Sequence, residues 1–137
     1  MVEKIGDPKS RPEMPEAIIG NSKMLACLRK NGELFKLFWP GIDYGQHLGH
    51  FWPGLRLAFH EGQSFTKWFH LDVWDSSQRY LDDTNILETA LTSRTRQLKV
   101  TQQDFVLPEK DILVRHYQLT NKGEKSEFLS FLLYCTF

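Results

Sequence analysis

Ser77–Val106 reads SQRYLDDTNILETALTSRTRQLKVTQQDFV and holds two strand patterns back to back. Ile86, Leu87, Thr89, Ala90 and Leu91 supply the first, after a polar approach through Ser77–Tyr80. Leu98, Val100, Phe105 and Val106 supply the second, with Ser93–Gln97 as the turn between them. A helical turn over Asp83–Leu91, capped by Thr84 or Asn85, competes for the first segment. The β-branched content on either side and the alternation that follows favour strand. Two adjacent strands joined by a short polar turn specify an antiparallel pair.

The same grammar extends in both directions. Towards the N-terminus, Met24–Leu28 and Leu34–Trp39 flank Lys30-Asn31-Gly32-Glu33, and Asn-Gly is a strong hairpin signal because both residues tolerate positive φ. Both faces of Leu34–Trp39 are largely apolar, which predicts an inner strand. Pro40 ends it, and GIDYGQHLGHFWPG (41–54) reads as a long glycine-rich aromatic loop. LRLAFH and SFTKWF (55–60 and 64–69) form another hairpin. Towards the C-terminus, ILVRHYQLTN and SEFLSFLLYCTF are two more strands around Gly123. Broken alternation in the first of these allows a bulge near Arg115–His116. About eight strands without βαβ alternation predict an all-β antiparallel β-sandwich. Residues 1–16, interrupted by Pro8, Pro12 and Pro15, are expected to be a flexible lead-in, with the sandwich over 17–137.

Composition narrows the function. The 137 residues give room for one core, and 41% hydrophobic with 25% charged residues is a soluble globular balance. Seventeen basic residues offset seventeen acidic ones, so neither nucleic acid nor anionic membrane is an expected partner. The opening stretch lacks the apolar core of a secretory signal, and no run is long enough to span a bilayer, so a cytoplasmic location is expected. Cys27 and Cys135 lie inside apolar strands and are expected to be buried free thiols.

Several motifs, in order, resemble the N-terminal β-sandwich domain of bacterial glucoamylases and glucodextranases, glycoside hydrolase family 15. They are Gly20-Asn21 before a strand, the Asn31-Gly32 turn, an aromatic-Pro at Trp39-Pro40, Gln46-His47, Lys67-Trp68, Gln78-Arg79-Tyr80 and Asp83-Thr84-Asn85-x-Leu87-Glu88-Thr89. The resemblance spans about residues 17–137. It implies part of a super-sandwich of two large antiparallel sheets, beside an (α/α)6 domain that cleaves α-glucosidic bonds and carries the catalytic glutamates. The family's β-domain is longer, so the sandwich is expected to be incomplete, with this chain a natural truncation, a fragment or part of a longer reading frame.

The residues themselves offer no self-contained chemistry. Glycoside hydrolysis needs two carboxyl groups at a fixed separation. The candidates are Asp72, Asp75, Asp82, Asp83 and Glu88. Asp82 and Asp83 are adjacent and would face opposite ways in a strand. Asp72 and Asp75 lie in a tryptophan-bearing segment that could touch sugar but read better as a solvated loop pair. His47 and His50 are too few for zinc, so no metal and no cofactor are expected. Ser22, Ser64 and Cys27 lack the setting of a nucleophile. Tyr44, Phe51, Trp52, Trp68 and Trp74 fit either a sugar-stacking platform or a core.

The expected role is therefore a non-catalytic domain buttressing the (α/α)6 unit. Gln46, His47 and His50, with Trp52 and Trp68, would form a domain interface or substrate rim. The alternatives are a stand-alone carbohydrate-binding module and an inactive remnant. Expected partners are the rest of the same polypeptide, an oligosaccharide, and a second copy met through the open C-terminal strand.

Overall fold

A computed structural model describes residues 14–58 and 62–137; the lead-in before Met14 and part of the 59–63 turn lie outside the described residues. Ten strands form three antiparallel sheets. Sheet I contains β1 (Ala17–Gly20), β2 (Leu25–Leu28) and β3 (Leu34–Phe38) in chain order. Sheet II joins β4 (His50–Ala58) and β5 (Ser64–Trp68) to β10 (Leu129–Thr136), in the order β10-β4-β5. Sheet III is the meander β6 (Trp74–Tyr80), β7 (Leu87–Ser93), β8 (Leu98–Val106) and β9 (Leu113–Asn121).

Sheets I and II lie side by side over one face of sheet III, making a two-layer sandwich. Alternation along β7 and β8 sets this up. Leu87, Thr89, Leu91 and Ser93 point inward from β7, and Leu98, Val100, Gln102, Asp104 and Val106 from β8. At one end Leu87 and Val106 join Ile19, Ala26, Leu28 and Leu34 of sheet I. At the other, Leu91 and Val100 meet Leu55, Phe69 and Trp74. Each large side chain fully buried in this way contributes about 1.5–3 kcal/mol.

The expected all-β sandwich is what the chain forms, with several local differences. The polar approach through Ser77–Tyr80 is instead the greater part of β6, the edge of sheet III, where water takes the outer face. The 41–54 loop is shorter than its glycines suggest, because His50–Gly54 belong to β4, a central strand. Pro53 is tolerated there because its carbonyl accepts from Phe69 N (2.9 Å), which directs the position towards the side where β5 ends. The missing N–H therefore costs no bond to β10. Contrary to the inner-strand reading, β3 is an edge of sheet I; its apolar outer residues are half-buried rather than covered. A strand before Asn21 was not expected: β1 folds back on β2 because Asn21 Oδ1 accepts from Lys23 N and Met24 N, both at 2.8 Å.

Turn chemistry settles the remaining ambiguities. Asp83 adopts φ 58°, and Thr84 Oγ1 donates to Leu81 O while accepting from Ile86 N, so Thr84 caps a tight turn rather than a helix. The β8–β9 register runs without interruption past Arg115–His116, and the irregularity falls instead between Cys27 and Leu28. Cys27 is buried, whereas Cys135 is only half-buried; both are free thiols.

Candidate functional site

Two constellations stand out, one on the outer face of sheet II and one buried where the three sheets meet. On the outer face, β4 presents His50 and Trp52, and the register places Thr136 and Tyr134 of β10 opposite them. The Trp52 and Tyr134 rings stack with centroids 5.5 Å apart and planes at 29°. His50 meets Trp52 edge-on at 4.4 Å, and His70 lies over it at 4.7 Å. The Trp52 indole N–H donates to Glu33 Oε1 (3.3 Å), which ties the ledge to the β2–β3 turn. One step along the same face, Trp68 stands opposite Gly54, where an added Cβ would come within 2.8 Å of the indole. The glycine thus lets the Trp68 ring lie flat across β4.

Of the five residues singled out by sequence, the fold brings His50, Trp52 and Trp68 onto this face. Gln46 and His47 are used differently. Gln46 Nε2 donates to Leu48 O (2.6 Å), its Oε1 accepts from Leu37 N (3.4 Å), and His47 Nε2 sits 2.5 Å from Trp39 O. Together they fasten the loop to β3. Trp74 is core, 4% exposed, with its N–H donating to Trp68 O. Tyr134 and His70 escaped notice in the sequence because they join the ledge through cross-strand register and a turn, which local patterns do not report.

The buried constellation was also missed. Asp104 and Arg115 face each other across β8 and β9, with side chains 0% and 5% exposed. Arg115 Nε donates to Asp104 Oδ1 (2.7 Å), and Nη2 reaches Gly32 O (2.5 Å). Gln102 Nε2 donates to both Gly32 O (3.0 Å) and Asp104 Oδ2 (2.5 Å). The guanidinium also lies over the Phe51 ring at 4.9 Å. Gly32, at φ 79°, allows this approach, since a Cβ there would stand 2.9 Å from Gln102 Nε2. The network clamps the β2–β3 turn to sheet III, and its second-row neighbour Gln78 does the same through Arg29 O and Thr89 Oγ1.

Burial perturbs three nearby groups. It pushes the Tyr117 phenol up to about 12, and the phenolic oxygen has no hydrogen-bond partner among the described residues. It lowers the His70 imidazole, a shift that Glu33 partly opposes. It also lowers Lys67, helped by the charge of Arg96; the Lys67 ammonium donates to Ser93 Oγ and Thr95 Oγ1 at the end of the β7–β8 turn.

Three of the candidate carboxylates, Asp72, Asp75 and Glu88, serve as ion-pair partners. Asp72 and Asp75 both engage Arg94, at 3.3 and 2.7 Å. Glu88 pairs with Arg79 and accepts from Gln103, whose hydrogen bond leads the causes holding it below the usual carboxylate range. Asp82 and Asp83 occupy the exposed β6–β7 turn. Among the described residues no three of His, Cys, Asp and Glu gather as a metal ion would require, and no helix is long and apolar enough to cross a membrane.

No described protein family matches the chain, and no solved structure does. The chain is 33% identical over 117 residues to an uncharacterized glycosyl hydrolase of Methanocaldococcus jannaschii. That alignment takes in 85% of this chain and 17% of the relative, so the chain spans less than a fifth of the length of the glycosyl hydrolase it is similar to.

Proposed function

We propose that this chain is a non-catalytic β-domain of a glycosyl hydrolase of the glucoamylase type, and that it supports an (α/α)6 catalytic unit acting on α-glucans or α-gluco-oligosaccharides. The observation that carries the reading is the similarity to a far longer protein named as a glycosyl hydrolase, joined to the pairing of Asp72, Asp75 and Glu88 with arginines. The ordered motifs shared with family 15 supply the finer assignment. In this reading the His50–Trp52–Trp68–Tyr134 face of sheet II is where the catalytic unit rests. A half-buried aromatic ledge with polar edges suits an interface between domains.

A stand-alone carbohydrate-binding module would use the same rings to stack on pyranose faces. Titration of chain 1–137 with maltohexaose, followed by tryptophan fluorescence, separates the two. A buttressing domain gives no saturable change. Saturable quenching that disappears in Trp68→Ala would overturn the buttressing role in favour of the binding module.

A further inference from the structure

Lys67 stands on β5 opposite Leu55 of β4, on the inner face of sheet II, and is only 7% exposed. A lysine there must run its stem along the core and bring the ammonium out at an end of the sandwich. It does so at the β7–β8 turn, where Nζ donates to Ser93 Oγ (3.3 Å) and Thr95 Oγ1 and lies 5.6 Å from the Phe65 ring. Among the described residues no carboxylate pairs with it. Its charged neighbour is instead Arg96, which acts with burial against the ammonium. A buried cation ordinarily comes with a counter-charge. Further donors crowd the same spot, for the backbone N–H groups of Thr95 and Arg96 also point at Ser93 Oγ, at 3.4 and 3.2 Å. Three donors thus converge on a hydroxyl oxygen that has two lone pairs.

The Thr95 side of this node lines a cavity of about 490 Å³. One wall is the β7–β8 turn at Thr95, Arg96 and Gln97; the other is the β9–β10 connection. The walls are tied together, because Lys122 N donates to Gln97 O (2.6 Å). Asn121 stiffens the second wall by accepting from Gly123 N (2.9 Å) and donating to Lys125 O (2.8 Å). Glu127 is already engaged there, since Arg96 Nη1 donates to both of its oxygens, at 3.0 and 3.1 Å. Lys122 and Lys125 add positive charge against Glu124. With Lys67 behind the wall, positive charge exceeds negative around the cavity.

We infer that this cavity binds a small oxyanion, which supplies the counter-charge that Lys67 lacks. Thr95 Oγ1 accepts from the ammonium, so its own proton is left to donate into the cavity. The anion takes that bond, with the Lys67 charge directly behind the hydroxyl and Arg96 beside it. The attraction is local, since seventeen basic and seventeen acidic residues give the chain no general pull on anions. Sulfate and the carboxylate of an acidic sugar share the required chemistry. The cavity lies at an end of the sandwich and not on the outer face assigned to the catalytic unit, so either assignment can fail alone.

Nuclear magnetic resonance of isotope-labelled chain 1–137 tests it, with sodium sulfate and sodium glucuronate as probes. Sodium chloride at matched ionic strength and neutral glucose serve as controls. The Thr95 and Arg96 amides and the Lys67 Cε signal are expected to shift saturably with a probe and with neither control. Saturation by sulfate alone marks a site for inorganic anions, and tighter binding of glucuronate marks one for acidic sugars; both support the inference. Lys67→Met keeps the stem in the core, removes the charge, and is expected to weaken binding at least about tenfold. Thr95→Val, on the exposed turn, is expected to weaken it as well and gives the answer should Lys67→Met fail to fold. Lys110→Met, exposed in the β8–β9 turn at the other end of the sandwich, is expected to leave binding unchanged. Shifts that never saturate, an equal response to chloride, binding that survives both Lys67→Met and Thr95→Val, or equal weakening in Lys110→Met would overturn the inference.

Discussion

Asp104→Ala removes the carboxylate from the junction of the three sheets and leaves the Arg115 guanidinium buried beside it. The two side chains are 0% and 5% exposed, so water cannot readily replace the lost partner. Arg115 would retain the carbonyl of Gly32 and the Phe51 ring, neither of which neutralises its charge. Breaking a buried pair by deleting one member costs about 3–5 kcal/mol. That is a large share of the roughly 5–15 kcal/mol that holds a domain folded. Removing both charges has a different consequence. In Asp104→Leu combined with Arg115→Met, Gly32 O still accepts from Gln102 Nε2, and no ion is left alone. The double variant is expected to lie within about 1–2 kcal/mol of the parent. Urea unfolding of the parent, Asp104→Ala, Asp104→Leu, Arg115→Met and the double variant closes the cycle. A single-variant loss under about 1 kcal/mol, or a double variant as unstable as Asp104→Ala, would refute the reasoning.

Other expectations follow from burial. Trp74→Ala should cost about 3–5 kcal/mol by emptying the core, whereas Trp68→Ala, uncovering only the outer face over Gly54, should cost about 1–2, both read from thermal melts. Because burial lowers the His70 imidazole, the unfolded chain binds the extra proton first: stability present above about pH 6.5 should fall as the pH drops through the lowered folded value, and His70→Phe should flatten that limb of the melting-temperature profile. The raised Tyr117 phenol has the opposite sign, with stability lost as pH climbs from about 10 towards the folded value. Tyr117→Phe should remove this alkaline loss and be nearly neutral at pH 7, since the hydroxyl has no partner to lose among the described residues.

Legibility in the sequence followed the range of the interactions. The β7–β8 pair was readable because Leu87, Leu91, Leu98 and Val100 announce its inner face by local alternation. The same phase runs on through Gln102 and Asp104 to Val106, yet those polar residues look like solvent positions until Arg115 is seen opposite them. Polar edge strands such as β6 carry little apolar signal, and glycines around Gly49 and Gly54 suggested loop where Gly54 instead makes room for Trp68. On the candidate face, His50, Trp52 and Trp68 were recognisable as chemically suited residues. Their companions Tyr134 and His70, and the structural use of Gln46 and His47, depend on register between segments far apart in the chain.

The role proposed for this chain is to support glycoside hydrolysis without performing it. Glucose release from maltose, soluble starch and trehalose by rigorously purified chain 1–137 measures this directly. None is expected, because Asp72, Asp75 and Glu88 are held by Arg94 and Arg79. Turnover that persists through purification and is abolished by Asp72→Asn or Asp75→Asn would contradict it.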